Sequence, residues 1–285
     1  TDYPIGKIKN TVSAGIRLYT GITYRKADGN GSTGTGYDMT ITGKYPRDIE
    51  FNSRNFAAFA ENIFRIGKKI IVIPGIRYEW LQGRASGRNG YDSAGNEILL
   101  QNISRGRQFI LAGIGAEYHV TGSTEFYANI SQAYRPIQFA NLQAPPGTDV
   151  VDPDLKDARG YNADLGYRGK WKNILLFDLS VFYLQYNNRV GTITPTGANY
   201  RLITNVGASI SKGLESFAEF NITKAIDQKA KTDLLIFGSY AFTDARYSGN
   251  FEIKTLQGKR VENAPRHILR SGITVRYLDF DLTMQ

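Results

Sequence analysis

Four arginines, Arg25, Arg105, Arg107 and Arg135, have the side-chain chemistry to hold an anionic ligand. A guanidinium presents a rigid fork that binds a carboxylate or phosphate through two parallel hydrogen bonds. The chain around them carries 35 Lys and Arg against 26 Asp and Glu, a formal charge of +9, which favours an anionic partner. This is the chemistry of recognition, not of bond cleavage, and no other set of residues points to catalysis. There is no cysteine, so neither a thiolate nucleophile nor a thiolate metal site exists. His119 and His267 are the only imidazoles. They lie far apart in the chain, with no GxSxG element for a serine nucleophile and no acidic cluster to complete a metal site.

Two other patterns are better explained as loops. Gly29, Gly31 and Gly34 in GNGSTG fit the spacing of a dinucleotide fingerprint. That motif works only between a parallel strand and a helix, and here it falls in a long connection, as a loop tip. Asp92, Asn96 and Glu97 in YDSAGNE offer oxygen ligands but not the remaining positions of a calcium loop, so a turn is expected. The basic residues are spread over many segments without an aromatic-interleaved platform, which argues against nucleic acid as the anionic partner. No catalytic residue, resident metal or cofactor is assigned.

The elements that must position the arginines are strands. Thirty glycines, 18 tyrosines and 15 phenylalanines against nine prolines suit pleated segments joined by turns. Apolar residues recur with period two: Val12, Ala14, Ile16, Leu18 and Ile22 oppose Ser13, Arg17, Thr23 and Arg25; Ile70, Val72, Ile76, Tyr78 and Trp80 oppose Lys69, Arg77 and Glu79. The alternating runs last from about twelve to over twenty residues, whereas sandwich strands usually run to about five or six. A strand crossing a bilayer needs about nine to eleven residues, and no run of about eighteen apolar residues offers a spanning helix. The expected fold is all-β, an antiparallel transmembrane β-barrel domain over 1–285, with aromatic residues such as Trp80, Trp171, Tyr78 and Tyr167 as girdle anchors.

Eleven meander strands are expected, at 7–27, 54–66, 69–85, 104–120, 123–135, 158–170, 173–191, 200–224, 231–248, 264–277 and 279–285. The joins alternate. Those at 67–68, 121–122, 171–172, 225–230 and 278 are short, and those at 28–53, 86–103, 136–157, 192–199 and 249–263 are mostly long. Short turns belong on the periplasmic rim of an outer-membrane barrel and long loops on the extracellular one. Pro74 removes one ladder donor, so a bulge or a locally open pairing is expected there. By face and height, Arg25, Arg105, Arg107 and Arg135 fall at the outer mouth of the lumen. Glu61, Glu79, Glu117 and Glu125 are available as alternative partners on the same face, and His119 is expected in a lumen hydrogen bond near a periplasmic turn.

The stretches FAENIFRIGKKIIVIPGIRYEW, YANISQAYRPIQFANL, DPDLKDARGYNADLGYRG, SKGLESFAEF, GSYAFTDARY and NAPRHILRSGITVRY follow one another as do barrel segments of TonB-dependent outer-membrane receptors, and the chain resembles that family, its ferric dicitrate receptor group in particular. The resemblance implies a bacterial outer-membrane location and a 22-strand barrel around an N-terminal plug. It also implies uptake of a ferric chelate, a siderophore or ferric citrate, driven through the energy-coupling protein TonB, with outer-membrane lipid around the wall. Plug, coupling box and closing strands are missing from this sequence, which is expected to be a partial barrel. Where the family carries Pro and Glu, this chain has Asp157 and Ala158. The alternative reading is a passive porin for small anionic solutes.

Overall fold

The computed structural model describes residues 1–31, 40–100, 103–137, 149–248 and 256–285. Its alternating sequence folds into one continuous up-and-down wall of twelve strands. These are β1 (Asp2–Ile5), β2 (Ile8–Ala27), β3 (Arg47–Ile66), β4 (Ile70–Tyr91), β5 (Ile103–His119) and β6 (Thr124–Arg135). The path continues through β7 (Ala158–Trp171), β8 (Leu175–Ile193), β9 (Arg201–Asn221), β10 (Thr232–Ser248), β11 (His267–Tyr277) and β12 (Phe280–Met284). Each strand pairs antiparallel with its neighbours in sequence, and β1 and β12 each have one neighbour on this path.

Period two places the apolar residues outside. Ile16, Ile22, Ile76, Ile110, Leu165 and Ile236 are all exposed, so the wall has its grease on its surface rather than in a core. In water such a surface would drive aggregation; against lipid it is the expected face of a spanning sheet. At the short-turn end, Phe126, Tyr167 and Phe177 form a ring-to-ring row with centroids 4.6 and 5.3 Å apart. At the other edge of the belt, the outward tyrosines reach up to polar groups. The Tyr78 hydroxyl donates to Gln108 at 3.3 Å and the Tyr161 hydroxyl to Gln185 at 2.9 Å, while the Tyr240 hydroxyl lies 2.8 Å from His267 Nδ1. An apolar body with one wet end is what suits tyrosine to a membrane interface.

Four details differ from the sequence expectation. β1 adds a strand, turned back on β2 through Gly6 at a φ of 60°, a left-handed conformation that glycine adopts without a Cβ penalty. β3 starts at Arg47 rather than 54, and β4 runs to Tyr91 rather than 85, because the ladder continues above the lipid belt where both faces are wet. β9 stops at Asn221, whose side chain accepts the Lys224 N–H at 2.9 Å and caps a one-turn helix, Ile222–Ile226. One pairing is parallel: Asp149–Val151 lies beside Arg201–Ile203.

At Pro74, the ladder to β5 is regular, with Pro74 opposite Ile114. On the β3 side the pairing passes from Glu61–Gly75 to Phe64–Val72 without a shift, leaving Asn62 and Ile63 unpaired opposite the proline. Of the two outcomes expected there, the open pairing is found and the bulge is not. Asn62 instead donates through Nδ2 to the Tyr3 hydroxyl at 2.7 Å.

Candidate functional site

The long connections gather at one rim, and two of them build small apolar cores on it. Val206, Ala245, Tyr247 and Val261 form one. Ile137 and Leu155, with Val151, Val190 and Ile203 packed against them, form the other. The second core ties down the chain that returns from the parallel pairing to β7. Its backbone is fixed by Asn205, which accepts the Lys156 N–H at 2.8 Å and donates to the Lys156 carbonyl at 2.9 Å. Asp152 accepts the Thr204 hydroxyl, and the Arg201 guanidinium binds Asp149 through both oxygens, at 2.8 and 2.9 Å. The returning segment thus crosses the mouth as a strap instead of standing free in solvent.

Asp157 ends that strap, and Arg107 holds it. The Asp157 carboxylate accepts from Arg107 Nε and from the Tyr134 hydroxyl on one oxygen, and from the Ile137 N–H at 2.8 Å on the other. Burial of this group pushes its pKa up, but the hydrogen bonds from Tyr134, Ile137 and Arg107 more than offset that, so the carboxyl is held below its ordinary value. Tyr134 also stacks on Phe109 with centroids 3.7 Å apart. Strict alternation puts Tyr134 outward with Phe126 and Ile130. The ladder between β5 and β6 ends at Gly113–Ser131, however, and past it the freed end of β6 brings Tyr134 to Phe109 on the lumen face.

Around the strap lies a cavity of about 660 Å³ lined by Arg105, Arg107, Lys156, Arg159 and Asp157, four cations and one carboxylate. Arg107 spends part of its charge on Asp157 but keeps Nη2 buried without a hydrogen-bond partner. Arg105 reaches only the Leu155 carbonyl, at 3.4 Å, and Arg159 lies over the Tyr134 ring at 5.8 Å. An anion with several oxygens entering this cavity meets three cations, Arg105, Lys156 and Arg159, that form no ion pair among the described residues.

Of the four arginines singled out in the sequence, the fold brings Arg105 and Arg107 together on that cavity. Arg135 lines a neighbouring one of about 410 Å³, with Arg189. Arg25 stands apart near the top of β2, opposite Ile49. Among the described residues, Arg105, Arg107 and Arg135 form no ion pair with the lumen carboxylates proposed as alternatives: Glu79 takes Arg77, while Glu117 and Glu125 take Arg168. Lys156, Arg159 and Tyr134 were not singled out, and Asp157 only as a departure from the family's pattern. Nothing in their spacing signals that a strap returns them to one cavity; only the length of the 136–157 connection hinted that something did.

The histidine reading needs one correction. His119 does sit on the lumen side at a short turn, with Nδ1 3.0 Å from Glu125, but an acidic cluster does surround it. Pairing across the turn sets Glu117, His119 and Glu125 within 4.8 Å of one another. Arg168 Nε donates to Glu125 at 2.7 Å, so the group is an ion-pair network spanning β5, β6 and β7. Asp92 behaves as a turn residue, accepting the Ala94 and Asn96 N–H groups at 2.9 and 2.8 Å. Gly34, residues 138–148 of the 136–157 connection, residues 249–255 of the 249–263 connection and Gln101–Asn102 lie outside the described residues.

Residues 2–284 match the family described as TonB dependent receptor-like, beta-barrel. The chain belongs to that family. Members of the TonB-dependent receptor family are β-barrel proteins of the bacterial outer membrane, transporters and not enzymes, in keeping with the lipid-facing wall. Solved structures with the same fold include the ferric citrate transporter FecA (18% identity, TM-score 0.68, covering 96% of this chain and 38% of that one). The ferric-catecholate import receptor Fiu from E. coli K12 matches at 18% identity and a TM-score of 0.69, covering 98% of this chain and 41% of that one. The copper transporter OprC matches at 14% identity and a TM-score of 0.68, with 98% and 41% covered. The chain therefore spans about two fifths of the length of these receptors.

Proposed function

We propose that the chain is part of an outer-membrane active transporter that binds and imports an anionic ferric chelate, ferric citrate or a siderophore, with energy coupled through TonB. The observation that carries this reading is the excess of cations around the strap cavity: Arg105, Arg107, Lys156 and Arg159 against Asp157 alone. A ferric ion wrapped in carboxylates or similar oxygen donors leaves a complex with negative oxygens on its outside, and arginine forks grip such oxygens in pairs. Likeness of fold does not choose the cargo, since receptors named for ferric citrate and for copper match at the same TM-score of 0.68. The charge at the mouth does favour an anionic chelate over a bare cation.

Titrating the full-length receptor with ferric citrate and with ferric siderophores, while following its intrinsic fluorescence, tests the reading. One of them should give a saturable change. Arg105→Ala and Arg159→Ala should each weaken that binding about tenfold, the size of one lost charge-assisted contact. Binding that never saturates, or that both substitutions leave unchanged, would remove the ferric chelate from the account.

A further inference from the structure

The periplasmic rim is as rich in lysine as the mouth is in arginine. Lys7, Lys68, Lys69, Lys172, Lys229 and Lys231 stand exposed on four of the short turns. Four arginines of the wall, by contrast, hold carboxylates: Arg77 holds Glu79, Arg107 holds Asp157, Arg168 holds Glu125 and Arg276 holds Asp281. Among the described residues, no carboxylate pairs with any of these six lysines. Of the rim's other lysines, Lys9 and Lys224 have partners in Asp2 and Asp233, and Lys170, at the end of β7, lines a cavity with Glu219, Asp233 and Arg276. Asp227, which accepts the Lys229 backbone N–H, and Asp233, two residues from Lys231, are the carboxylates nearest in sequence to any of the six; among the described residues Asp227 forms no ion pair and Asp233 takes Lys224.

Two of the lysines are fixed in depth. Lys69 Nζ lies 6.0 Å from the centre of the Tyr118 ring and Lys172 Nζ 5.5 Å from that of Trp171. Both rings are on the outward face, 44% and 56% exposed, within the aromatic row at the short-turn edge of the belt. Such rings sit where hydrocarbon gives way to headgroups. An ammonium over their faces is therefore at headgroup depth and on the lipid side, with its methylene stem against apolar surface and its charge in the polar layer.

We propose that this rim binds anionic phospholipid headgroups of the membrane leaflet that faces the periplasm. Among the described residues the six lysines have no carboxylate partner, and lipid phosphates lie at the depth where the rings hold Lys69 and Lys172. The turns carrying them, between β3 and β4 and between β7 and β8, are four strands apart, roughly 20 Å along the rim. That is more than one headgroup spans, so the two turns hold separate lipids. The contact is independent of the cargo read at the opposite rim.

Quenching of Trp171 by phospholipids brominated on their acyl chains reads this contact directly. The full-length receptor is placed in vesicles containing brominated phosphatidylglycerol or brominated phosphatidylcholine, and the quenching lost in Trp171→Phe isolates the one site. Phosphatidylglycerol should be favoured about fivefold, the effect of one lysine near an anionic surface. Lys172→Gln with Lys69→Gln should bring the ratio to one, and Lys172→Arg should preserve it. The unsubstituted receptor should lose the preference in about 1 M salt, where the screening length is about 3 Å. A ratio of one in the unsubstituted receptor, or a preference indifferent to both the Gln pair and salt, would overturn the proposal. So would retention on purified peptidoglycan sacculi without any preference among lipids, which would give the lysines to a different anionic polymer.

Discussion

Asp157 ties the end of the strap to the wall. Its hydrogen bonds with Arg107, Tyr134 and Ile137 are made in the folded chain, and together they hold its pKa below the ordinary value despite burial. A depressed folded value means that the stabilisation is complete above the unfolded carboxyl's value of about 4 and is lost as pH falls through the lower, folded one. The Ile137 N–H reports this, because Asp157 is its acceptor. Asp157→Asn removes a contact of about 1.5–3 kcal/mol, so exchange of the Ile137 amide should speed up by at least about tenfold at neutral pH. In the unsubstituted receptor the same loss should appear only in acid below about pH 4. Unchanged exchange in Asp157→Asn would show that the apolar packing of Ile137 and Leu155 holds the strap without the carboxylate. At this scale the sequence was half legible. Arg105 and Arg107 follow from face and height, but Asp157 meets Arg107 across 50 residues, and Tyr134 breaks the alternation that would have placed it.

The strands divide into a stretch in lipid and a stretch above it. On β4 the outward residues Ile70, Val72, Ile76, Tyr78 and Trp80 give way to Gln82, Arg84, Ser86 and Arg88. An arginine inserted in the first set has no water to reach. Ile76→Arg should therefore cost about 2–4 kcal/mol in the urea-induced unfolding of the full-length receptor from vesicles, whereas Gln82→Arg, at the edge, should cost about 0–1 kcal/mol. Equal costs at the two sites would mean that Ile76 does not face hydrocarbon. The same division explains which strand ends could be read in advance. Inside the belt, lipid demands an apolar residue at every second position, so Ile16, Ile76, Ile114 and Leu165 announce their faces. Above it, the 47–53 and 86–91 stretches keep their ladder bonds while both faces are wet, and period two disappears though the strand does not. β1 was missed because four residues are too few to show a period, and the helix after Asn221 because one capped turn needs only an asparagine and a neighbouring amide.

The molecule as a whole joins a lipid-facing wall, a basic mouth under a strap and a lysine rim at the opposite end. The meander order and the alternation of short and long joins were legible because each strand pairs with its neighbours in sequence. The parallel pairing of Asp149–Val151 was not, since it depends on a loop docking beside Arg201–Ile203 over fifty residues of chain. What separates an energised receptor from a passive channel is the relation between binding and flux. The deciding measurement is uptake of radioactive iron, supplied as ferric citrate and as ferric siderophores, by cells that make the full-length receptor, before and after the proton gradient is collapsed. The account predicts, for one of these chelates, uptake that saturates, stops with the gradient, and falls about tenfold at low concentration in Arg105→Ala. Uptake that rises linearly with concentration and ignores the gradient would contradict it and leave a passive pore.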